Sequence, residues 1–365
     1  MDELVTQLKK EKLIAVDTEF QRETTYYPRL ALVQIATDSI VACIDPLAFN
    51  ARLALQKILL DPDITKIFHS CSQDLEVLFY YLGAIPAPVY DTQIANALLT
   101  EHHQIGYAAL VENELNVQLD KSQTRTNWLQ RPLTEKQIQY AGDDVFYLYQ
   151  LEQKLDEQLH IKGRKSWFEE ESANLPNDEK CFQVTPDSLW KRVKGATRLN
   201  RNQLAIVQSI AVWREKLAQE NDKIRKNILA DDTITQLALT PPEDISSLHQ
   251  FVDRRHNISN EEKQKLFDVI TTARQSPAEQ CPDNRFDTLG AQEKILLKKL
   301  QHMVNEKADE LGISSAILCS RKDLEKLILL PDEPDQAQLP GLANSQNWRY
   351  RCLGQFLINA VKNAK

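Results

Sequence analysis

The sequence predicts a mixed α/β domain followed by two all-helical bundles. Residues 1–168 contain short apolar runs that alternate with helical patterns, as expected for a sheet covered by helices. Residues 169–190 are acidic, polar and proline-bearing, and we interpret them as a linker. Beyond them no run predicts a strand, and the amphipathic helical patterns fall into two sets on either side of a proline-containing break, residues 191–279 and 283–365.

The predicted sheet has five strands in mixed orientation. Its first three strands are joined so closely that they must form an antiparallel meander, and a helix–strand–helix–strand succession follows. The second of these helices is expected to end at Gly83, and residues 93–168 have a helical pattern throughout. The five strands are expected at residues 13–20, 31–36, 40–44, 64–70 and 88–92.

The predicted helices of the tail form two groups of similar size. Both groups combine long amphipathic segments with short ones. The sequence does not predict a long array of repeats. The expected helices are residues 199–220, 231–239, 245–251, 260–274, 291–311, 320–330 and 348–361.

Composition narrows the class of protein. The chain has 42% hydrophobic and 26% charged residues and contains no run of eighteen apolar residues, so we predict no membrane span. Its six cysteines are scattered without a C-x-x-C pair and no signal-peptide pattern is present, which indicates a reducing, cytoplasmic location. The nine glycines include no G-x-x-x-x-G-K-[ST] loop, which excludes nucleotide hydrolysis by a P-loop.

Charge is unevenly distributed along the chain. The net charge is −8, yet residues 191–226 carry ten basic and three acidic side chains. A basic segment beside an acidic domain suggests a polyanionic partner, although a solvated helix face would give the same pattern.

Two carboxylates end the first strand. In the segment LIAVDTEF, Asp17 and Glu19 follow four apolar residues, and the period of two places both side chains on one face. Two neighbouring buried carboxylates need compensation, for which an arginine, a shared proton or a metal ion are the candidates.

Further acids occur in two later segments. In HSCSQDLEVL a strand gives way to a helix that has Asp74 in its first turns. The segment YAGDDVFYL places Tyr140 and Asp144 four residues apart on one helix face. Asp143 lies three residues after Tyr140, so spacing alone does not choose between the two aspartates.

In combination, DTEF, HSCSQDLEVL and YAGDDVFYL resemble the three exonuclease motifs of the DEDD superfamily of 3′–5′ exonucleases, in its tyrosine-bearing branch. The resemblance extends to TTYYPRLALVQIA, YDTQIANALL and LDKSQTRTNWLQRPLTEKQIQYA. It covers nearly the whole chain, because residues 199–274 resemble an HRDC domain and residues 291–361 a second, HRDC-like domain. The implied fold is a ribonuclease H-like exonuclease domain followed by two HRDC-type bundles.

The resemblance implies a site with two divalent metal ions, Mg²⁺ or Mn²⁺. Carried over residue by residue, Asp17, Glu19, Asp74 and Asp144 match the metal-binding carboxylates, and Tyr140 matches the tyrosine that orients the attacking water. The spacing of the third motif in this family selects Asp144 over Asp143. In the family, Asp17 would bridge the two ions, Glu19 and Asp144 would complete the first site, and Asp74 would act mainly through water.

Several other residues are candidates for RNA contact. His69 and Gln73 flank the second motif and would serve either substrate contact or structural hydrogen bonding, whereas Trp128 is expected in the core. The complete set of candidate substrate contacts is Phe20, His69, Gln73, Lys121, Arg125 and Arg131.

The function implied is that of a monomeric, cytoplasmic exoribonuclease without a membrane partner. It would remove 3′-terminal nucleotides from tRNA precursors and other small structured RNAs with single-stranded 3′ ends, and release nucleoside 5′-monophosphates. Two alternatives are a DNA 3′–5′ exonuclease, which would use the same carboxylates, and an RNA-binding protein with an inactive exonuclease domain. The paired HRDC-type domains favour RNA, and the presence of all five catalytic residue types favours an active enzyme.

Overall fold

The chain folds into two compact units in a computed structural model. The structure describes residues 1–120, 122–124, 126–176, 179–182, 185–252, 258–277, 281–282, 289–330 and 340–364. The first unit comprises Met1–Gln21, Leu30–Glu179 and Leu289–Lys365, and the second comprises Arg22–Arg29 and Lys180–Thr288. The division at residues 168, 190 and 279 that the sequence suggests stays a prediction.

The first unit is built on a mixed five-stranded sheet, as predicted. The strand order is β3-β2-β1-β4-β5. The pairs β1–β4 and β4–β5 are parallel, whereas β2–β3 is antiparallel. The strands are β1 (Leu13–Gln21), β2 (Arg29–Ala36), β3 (Val41–Ile44), β4 (Thr65–Phe68) and β5 (Val89–Asp91).

Seven helices accompany the sheet in the part of this region that the structure describes. The prediction of helix throughout residues 93–168 is wrong, since residues 98–106, 116–120, 122–124 and 126–134 are not helical. Gly83 ends α3 with a left-handed φ of +83°, which explains why glycine stops this helix. The helices are α1 (Asp2–Leu8), α2 (Arg52–Leu59), α3 (Ser72–Leu82), α4 (Thr92–Ala97), α5 (Tyr107–Leu115), α6 (Glu135–Ile161) and α7 (Lys165–Ser172).

The second unit is helical and has its own apolar core. Leu204, Ile234 and Leu266 are fully buried in it. The loop after β1 belongs to this unit through Tyr26, whose hydroxyl donates a 2.5 Å hydrogen bond to Glu215. The helices are α8 (Arg201–Glu220), α9 (Arg225–Ile228), α10 (Asp231–Leu239), α11 (Ile245–Phe251) and α12 (Asn260–Arg274), and three 3₁₀ turns precede them at Glu179–Phe182, Pro186–Arg192 and Ala196–Arg198.

The last helices share the core of the first unit. Leu300, Trp348 and Leu357 belong to the same buried cluster as Val145 and Phe168. Apolar burial therefore joins the C-terminal helices to the sheet domain. These helices are α13 (Ala291–Leu311), α14 (Ser315–Leu318), α15 (Arg321–Leu329), α16 (Pro340–Ala343) and α17 (Gln355–Lys362), and a π-helical turn, Tyr350–Gly354, leads into α17.

Helix α7 makes part of this connection. It begins before and ends after residue 169, where a linker is predicted, so the first residues of that predicted linker are helical. The Trp167 and Trp348 rings stack with centroids 4.6 Å apart, and the Glu171 carboxylate pairs with Arg349.

The two tail regions have matching internal order. Helices α8, α9 and α10 contain 20, 4 and 9 residues, and α13, α14 and α15 contain 21, 4 and 9. The residue that closes each four-residue helix is extended, with φ and ψ of −156° and 127° at Leu229 and −159° and 116° at Cys319.

Two predictions from composition concern disulfide bonds and membrane spans. All six cysteines are free thiols. Within the described residues, no helix is both long enough and apolar enough to span a bilayer.

Candidate active site

The end of β1 places the first two carboxylates. Asp17 and Glu19 alternate with Thr18, which is buried on the other side of the strand. Because β1 and β4 run parallel with Ala15 opposite Ile67, the carboxyl ends of both strands meet at one edge of the sheet. That edge is where the loop before α3 begins.

Asp74 reaches this edge from the first turn of α3. Its Oδ1 accepts a 2.5 Å hydrogen bond from the Thr18 hydroxyl, and the residue is buried. The buried carboxylate of Asp91 holds the start of α3, because it accepts hydrogen bonds from the backbone N–H groups of Ser70 at 3.0 Å and Cys71 at 2.9 Å. Asp91 also caps α4 through the Gln93 N–H, so one side chain fixes two helix starts.

Helix α6 places the tyrosine and the fourth carboxylate. The helix starts with a capping box in which Thr134 and Gln137 satisfy each other's backbone N–H groups. Oxygen atoms of Asp17, Glu19 and Asp144 lie within 4.8 Å of one another, and Asp143 is not part of this group. Tyr140 lies on the same helix face, and its hydroxyl lowers the pKa of Asp144 in opposition to the effect of burial.

Burial and mutual repulsion dominate the electrostatics of the site. Burial raises the pKa of Asp17 to about 6. Burial, and then the neighbouring charges of Asp17, Asp144 and Asp74, raise the pKa of Glu19 to about 9. Burial and Asp17 raise the pKa of Asp144 to about 8, and the same two causes raise the pKa of Asp74 well above its ordinary value.

No cationic side chain among the described residues pairs with the carboxylates of the site. Among the residues that the structure describes, no lysine, arginine or histidine pairs with Asp17, Glu19, Asp74 or Asp144. A crowded all-oxygen donor set that has no positive partner among the described residues fits hard divalent cations such as Mg²⁺ or Mn²⁺. The sequence left an arginine, a shared proton or a metal ion as the candidates that could compensate the buried carboxylates. Within the described residues, no arginine fills this role.

Tyr107 is a site neighbour that the sequence motifs did not reveal. Its hydroxyl donates a 2.5 Å hydrogen bond to the backbone carbonyl of Asp144, and burial together with the charges of Asp144 and Asp17 raises its pKa. Its ring lies 5.6 Å from that of His69. A tyrosine in an otherwise ordinary helical pattern gives no signal of this contact, because the contact joins residues 37 positions apart.

Arg131, a candidate substrate contact, has partners within the protein. Its Nε and Nη2 donate to the two oxygens of Asp45 at 2.6 and 2.9 Å. Its other three donors bond the carbonyls of Trp128, Gln130 and Ala31 at 2.7 to 2.8 Å. All five donors of the guanidinium are thus used inside the protein in this conformation, and substrate contact by Arg131 stays a prediction.

The remaining candidates divide into three groups. Both ring nitrogens of His69 form hydrogen bonds, Nδ1 with the Thr92 hydroxyl at 2.9 Å and Nε2 with the Ile105 carbonyl at 3.0 Å. These contacts favour structural hydrogen bonding, one of the two roles considered for His69, over substrate contact. Phe20 is half-buried and Gln73 is exposed, and both stay candidates. Lys121 and Arg125 lie outside the described residues.

Trp128 packs in the core. It is buried with Ala31, Leu32 and Ala141, and its ring centroid lies 6.1 Å from that of Tyr140. The prediction of a core position for Trp128 is confirmed, and the tryptophan supports the Tyr140 ring.

Comparison with known proteins gives the same class as the site. The family model described as 3′–5′ exonuclease matches residues 1–160, and the HRDC domain model matches residues 203–258. Ribonuclease D of Pseudomonas paraeruginosa is 33% identical over 96% of this chain and 92% of its own length. Ribonuclease D of Gluconacetobacter diazotrophicus is 34% identical over 99% and 90%.

The fold of this chain is also similar to that of a solved ribonuclease D structure. The crystal structure of Escherichia coli RNase D, described as an exoribonuclease involved in structured RNA processing, matches with a TM-score of 0.84. Its sequence identity is 29%, and the match covers 99% of this chain and 96% of that one. The fold and the carboxylate site thus define a 3′–5′ exonuclease with an HRDC domain. Within that class, the chain belongs to the ribonuclease D family.

Proposed function

We propose that the chain is a metal-dependent exoribonuclease that removes nucleotides one at a time from RNA 3′ ends. The observation that carries this proposal is the cluster of Asp17, Glu19 and Asp144, whose oxygens lie within 4.8 Å without a cation from the described residues. Membership of the ribonuclease D family supports RNA as the substrate and hydrolysis as the reaction.

The four carboxylates would hold two divalent ions. Asp17, Glu19 and Asp144 would hold the ions, and Asp74, held by Thr18, would add a fourth carboxylate to the site. When bound, two such ions would activate a water molecule and stabilise charge on the attacking and leaving oxygens of the phosphodiester.

Tyr140 would orient the attacking water. Burial and the Asp144 charge raise its pKa to about 12, so the hydroxyl stays protonated and can donate or accept a hydrogen bond without serving as a base. Tyr107 would act through the backbone, because its bond to the Asp144 carbonyl fixes the turn of α6 that carries the carboxylate.

The proposed substrates are tRNA precursors and other small structured RNAs. The likeness to Escherichia coli RNase D, an exoribonuclease involved in structured RNA processing, supports this proposal. The basic segment 191–226 supports it too, because a net positive region can attract the phosphates of a folded RNA. The six free thiols support a location in the cytoplasm.

We also propose that residues 191–279 form one HRDC domain and residues 283–365 a second, HRDC-like domain. The matching lengths of α8–α10 and α13–α15 support two copies of one helical plan. The C-terminal helices share the core of the first unit, whereas the proposed first domain has a core of its own, so we expect only the first domain to fold when excised.

A hydrolysis assay tests the proposed function. The purified full chain is given a short single-stranded RNA and the DNA of the same sequence, each labelled at its 5′ end, with Mg²⁺, Mn²⁺ or EDTA. We expect stepwise shortening of the RNA from its 3′ end with either metal and none in EDTA, together with release of nucleoside 5′-monophosphates. Equal or faster loss of the DNA would favour the DNA exonuclease, and loss of neither would favour a binding protein.

A further inference from the structure

The second unit contains a cavity whose residues are mainly basic. Its volume is about 400 Å³, within the roughly 300–1,000 Å³ that ligand sites usually span. It lies beside the start of α10 and is lined by five cationic and two acidic side chains: Arg192, Lys194, Arg214, Arg225, Lys226, Asp231 and Asp232. An excess of positive charge in a concave site favours an anionic ligand.

Arg214 forms the buried part of this cavity. It is only 5% exposed, which is rare for an arginine without a complete set of partners. Its Nη1 donates to the Leu229 carbonyl at 2.8 Å and to Asp231 at 2.7 Å, but its Nε has no hydrogen-bond partner among the described residues. The fold therefore fixes a guanidinium here and leaves part of its donor capacity unused.

The acidic side chains do not cancel this charge. Asp231 uses one oxygen for Arg214 and the other for the backbone N–H of Lys194, at 3.0 Å, so it holds the cavity wall in place. Arg225 is paired with Glu215. Arg192, Lys194 and Lys226 are exposed and, within the described residues, form no ion pair, which leaves three cations against the single carboxylate of Asp232.

Backbone dipoles add to the attraction. The residue before α10 is Ala230, which has no side chain able to cap the helix and itself lines the cavity. At the corresponding position before α15, the Ser320 hydroxyl accepts the Asp323 N–H and closes the helix start. The first turn of α10 thus offers N–H groups and the positive end of a helix dipole to a ligand in the cavity.

We propose that this cavity is a phosphate-binding subsite that receives a backbone phosphate of the RNA substrate. Arg214 and the first turn of α10 would fix the phosphate position, and Lys194 and Lys226 would neutralise its charge. This assignment rests on the proposed function for the identity of the substrate, and it gives the basic segment 191–226 a defined point of contact in place of diffuse attraction.

Binding measurements on the full chain in EDTA test this assignment, since RNA is not cleaved without metal under the proposed function. The test variant is Lys194→Ala with Lys226→Ala, both in the cavity. The matched control is Arg198→Ala with Lys216→Ala, which removes two exposed cations from the same basic segment outside the cavity lining. Affinity for a hairpin RNA with a single-stranded 3′ tail is measured by fluorescence anisotropy over a range of salt concentrations.

We expect the cavity variant to lose about tenfold in affinity and to reduce the magnitude of the salt slope by about one, as for one lost phosphate contact. The control variant should lose less than about threefold. Equal losses in both variants would show diffuse attraction and overturn the subsite. Circular dichroism of both variants confirms that they fold.

A second arm separates a backbone phosphate from a free one. A nucleoside 5′-monophosphate or inorganic phosphate, added at constant ionic strength, should displace the RNA only at concentrations far above the RNA dissociation constant. Displacement at concentrations near that constant would assign the cavity to free phosphate and overturn the proposal. Hydrolysis of short RNA by the wild-type chain is measured separately, so failure of the proposed function would be distinguishable from failure of the subsite.

Discussion

Two groups of acids in the first unit differ in how the protein treats them. Glu170 and Glu171 on α7 receive partners from the C-terminal helices, since Glu171 pairs with Arg349 and accepts from the Trp348 indole, and Glu170 pairs with Arg351. Asp17 and Glu19 at the end of β1 receive no cation from the described residues, and their pKa values are raised. We expect the first group to stabilise the fold, whereas the second fits the divalent cations proposed for this site.

The largest expected effect is a loss of RNA hydrolysis when an acid at the end of β1 is replaced. Asp17→Asn should lower RNA hydrolysis in Mg²⁺ by at least about 10³-fold, because loss of a carboxylate from the proposed metal site would remove metal-based stabilisation worth several kcal/mol. The metal-free fold should be unchanged or slightly more heat-stable, since one of several crowded acids is gone. Product release and thermal unfolding in EDTA measure the two quantities, and full activity of the variant would remove Asp17 from the proposed metal site.

The opposite pattern is expected at α7. Glu171→Ala leaves the mostly buried Arg349 and the Trp348 indole without their acceptor, and should reduce the free energy of unfolding by about 2–4 kcal/mol. Glu169→Ala, on the exposed side of the same helix, is the control and should change it by less than about 0.5 kcal/mol. Urea denaturation gives both values, and equal stability of the two variants would show that the α7 pairs are not structural.

Tyr140→Phe separates two roles of Tyr140, the packing of its ring against Trp128 and the proposed orientation of water by its hydroxyl. The ring stays against Trp128, so stability should be nearly unchanged, while loss of the hydroxyl should lower kcat by about 10²-fold and leave KM within a few-fold. Steady-state kinetics on a short RNA measure the split. An unchanged kcat would make Tyr140 a packing residue only.

The local parts of this comparison could be predicted from the sequence. The β1 strand, its two carboxylates and the i, i+4 pair on α6 follow from periods of two and 3.6, and the structure brings Asp17, Glu19 and Asp144 together. The sequence could not show that Arg131 pairs with Asp45 or that Glu171 pairs with Arg349, because these partners lie 86 and 178 residues apart. The same limit applies to the apolar core that the C-terminal helices share with the sheet, because it joins residues such as Val145 and Leu300 that lie far apart in sequence.

The raised pKa values predict how the metal-free protein responds to pH. Folding raises the pKa of Glu19 from 4.5 to about 9, so the folded state binds more protons than the unfolded state across this interval. Stability in EDTA should therefore fall as the pH rises from about 5 to 9. Mg²⁺ in excess should oppose this fall, because it binds the ionised carboxylates of the folded state only. Melting temperatures in EDTA and in Mg²⁺ measure the effect, and a fall of equal size in both would argue against a metal at this cluster.

The smallest expected effect belongs to the acid beside Asp144. Asp143 lies one position along α6, where its carboxylate accepts a 2.8 Å hydrogen bond from Gln139 and stays outside the group formed by Asp17, Glu19 and Asp144. Asp143→Ala should leave kcat within about twofold, because an exposed i, i+4 hydrogen bond contributes only a few tenths of a kcal/mol. Asp144→Ala is the matched variant on the same helix turn, and it should lower hydrolysis by orders of magnitude. Since the two aspartates are adjacent in sequence and identical in chemistry, the ratio of the two rates depends on position alone, and a reversed ratio would move the fourth metal ligand from Asp144 to Asp143.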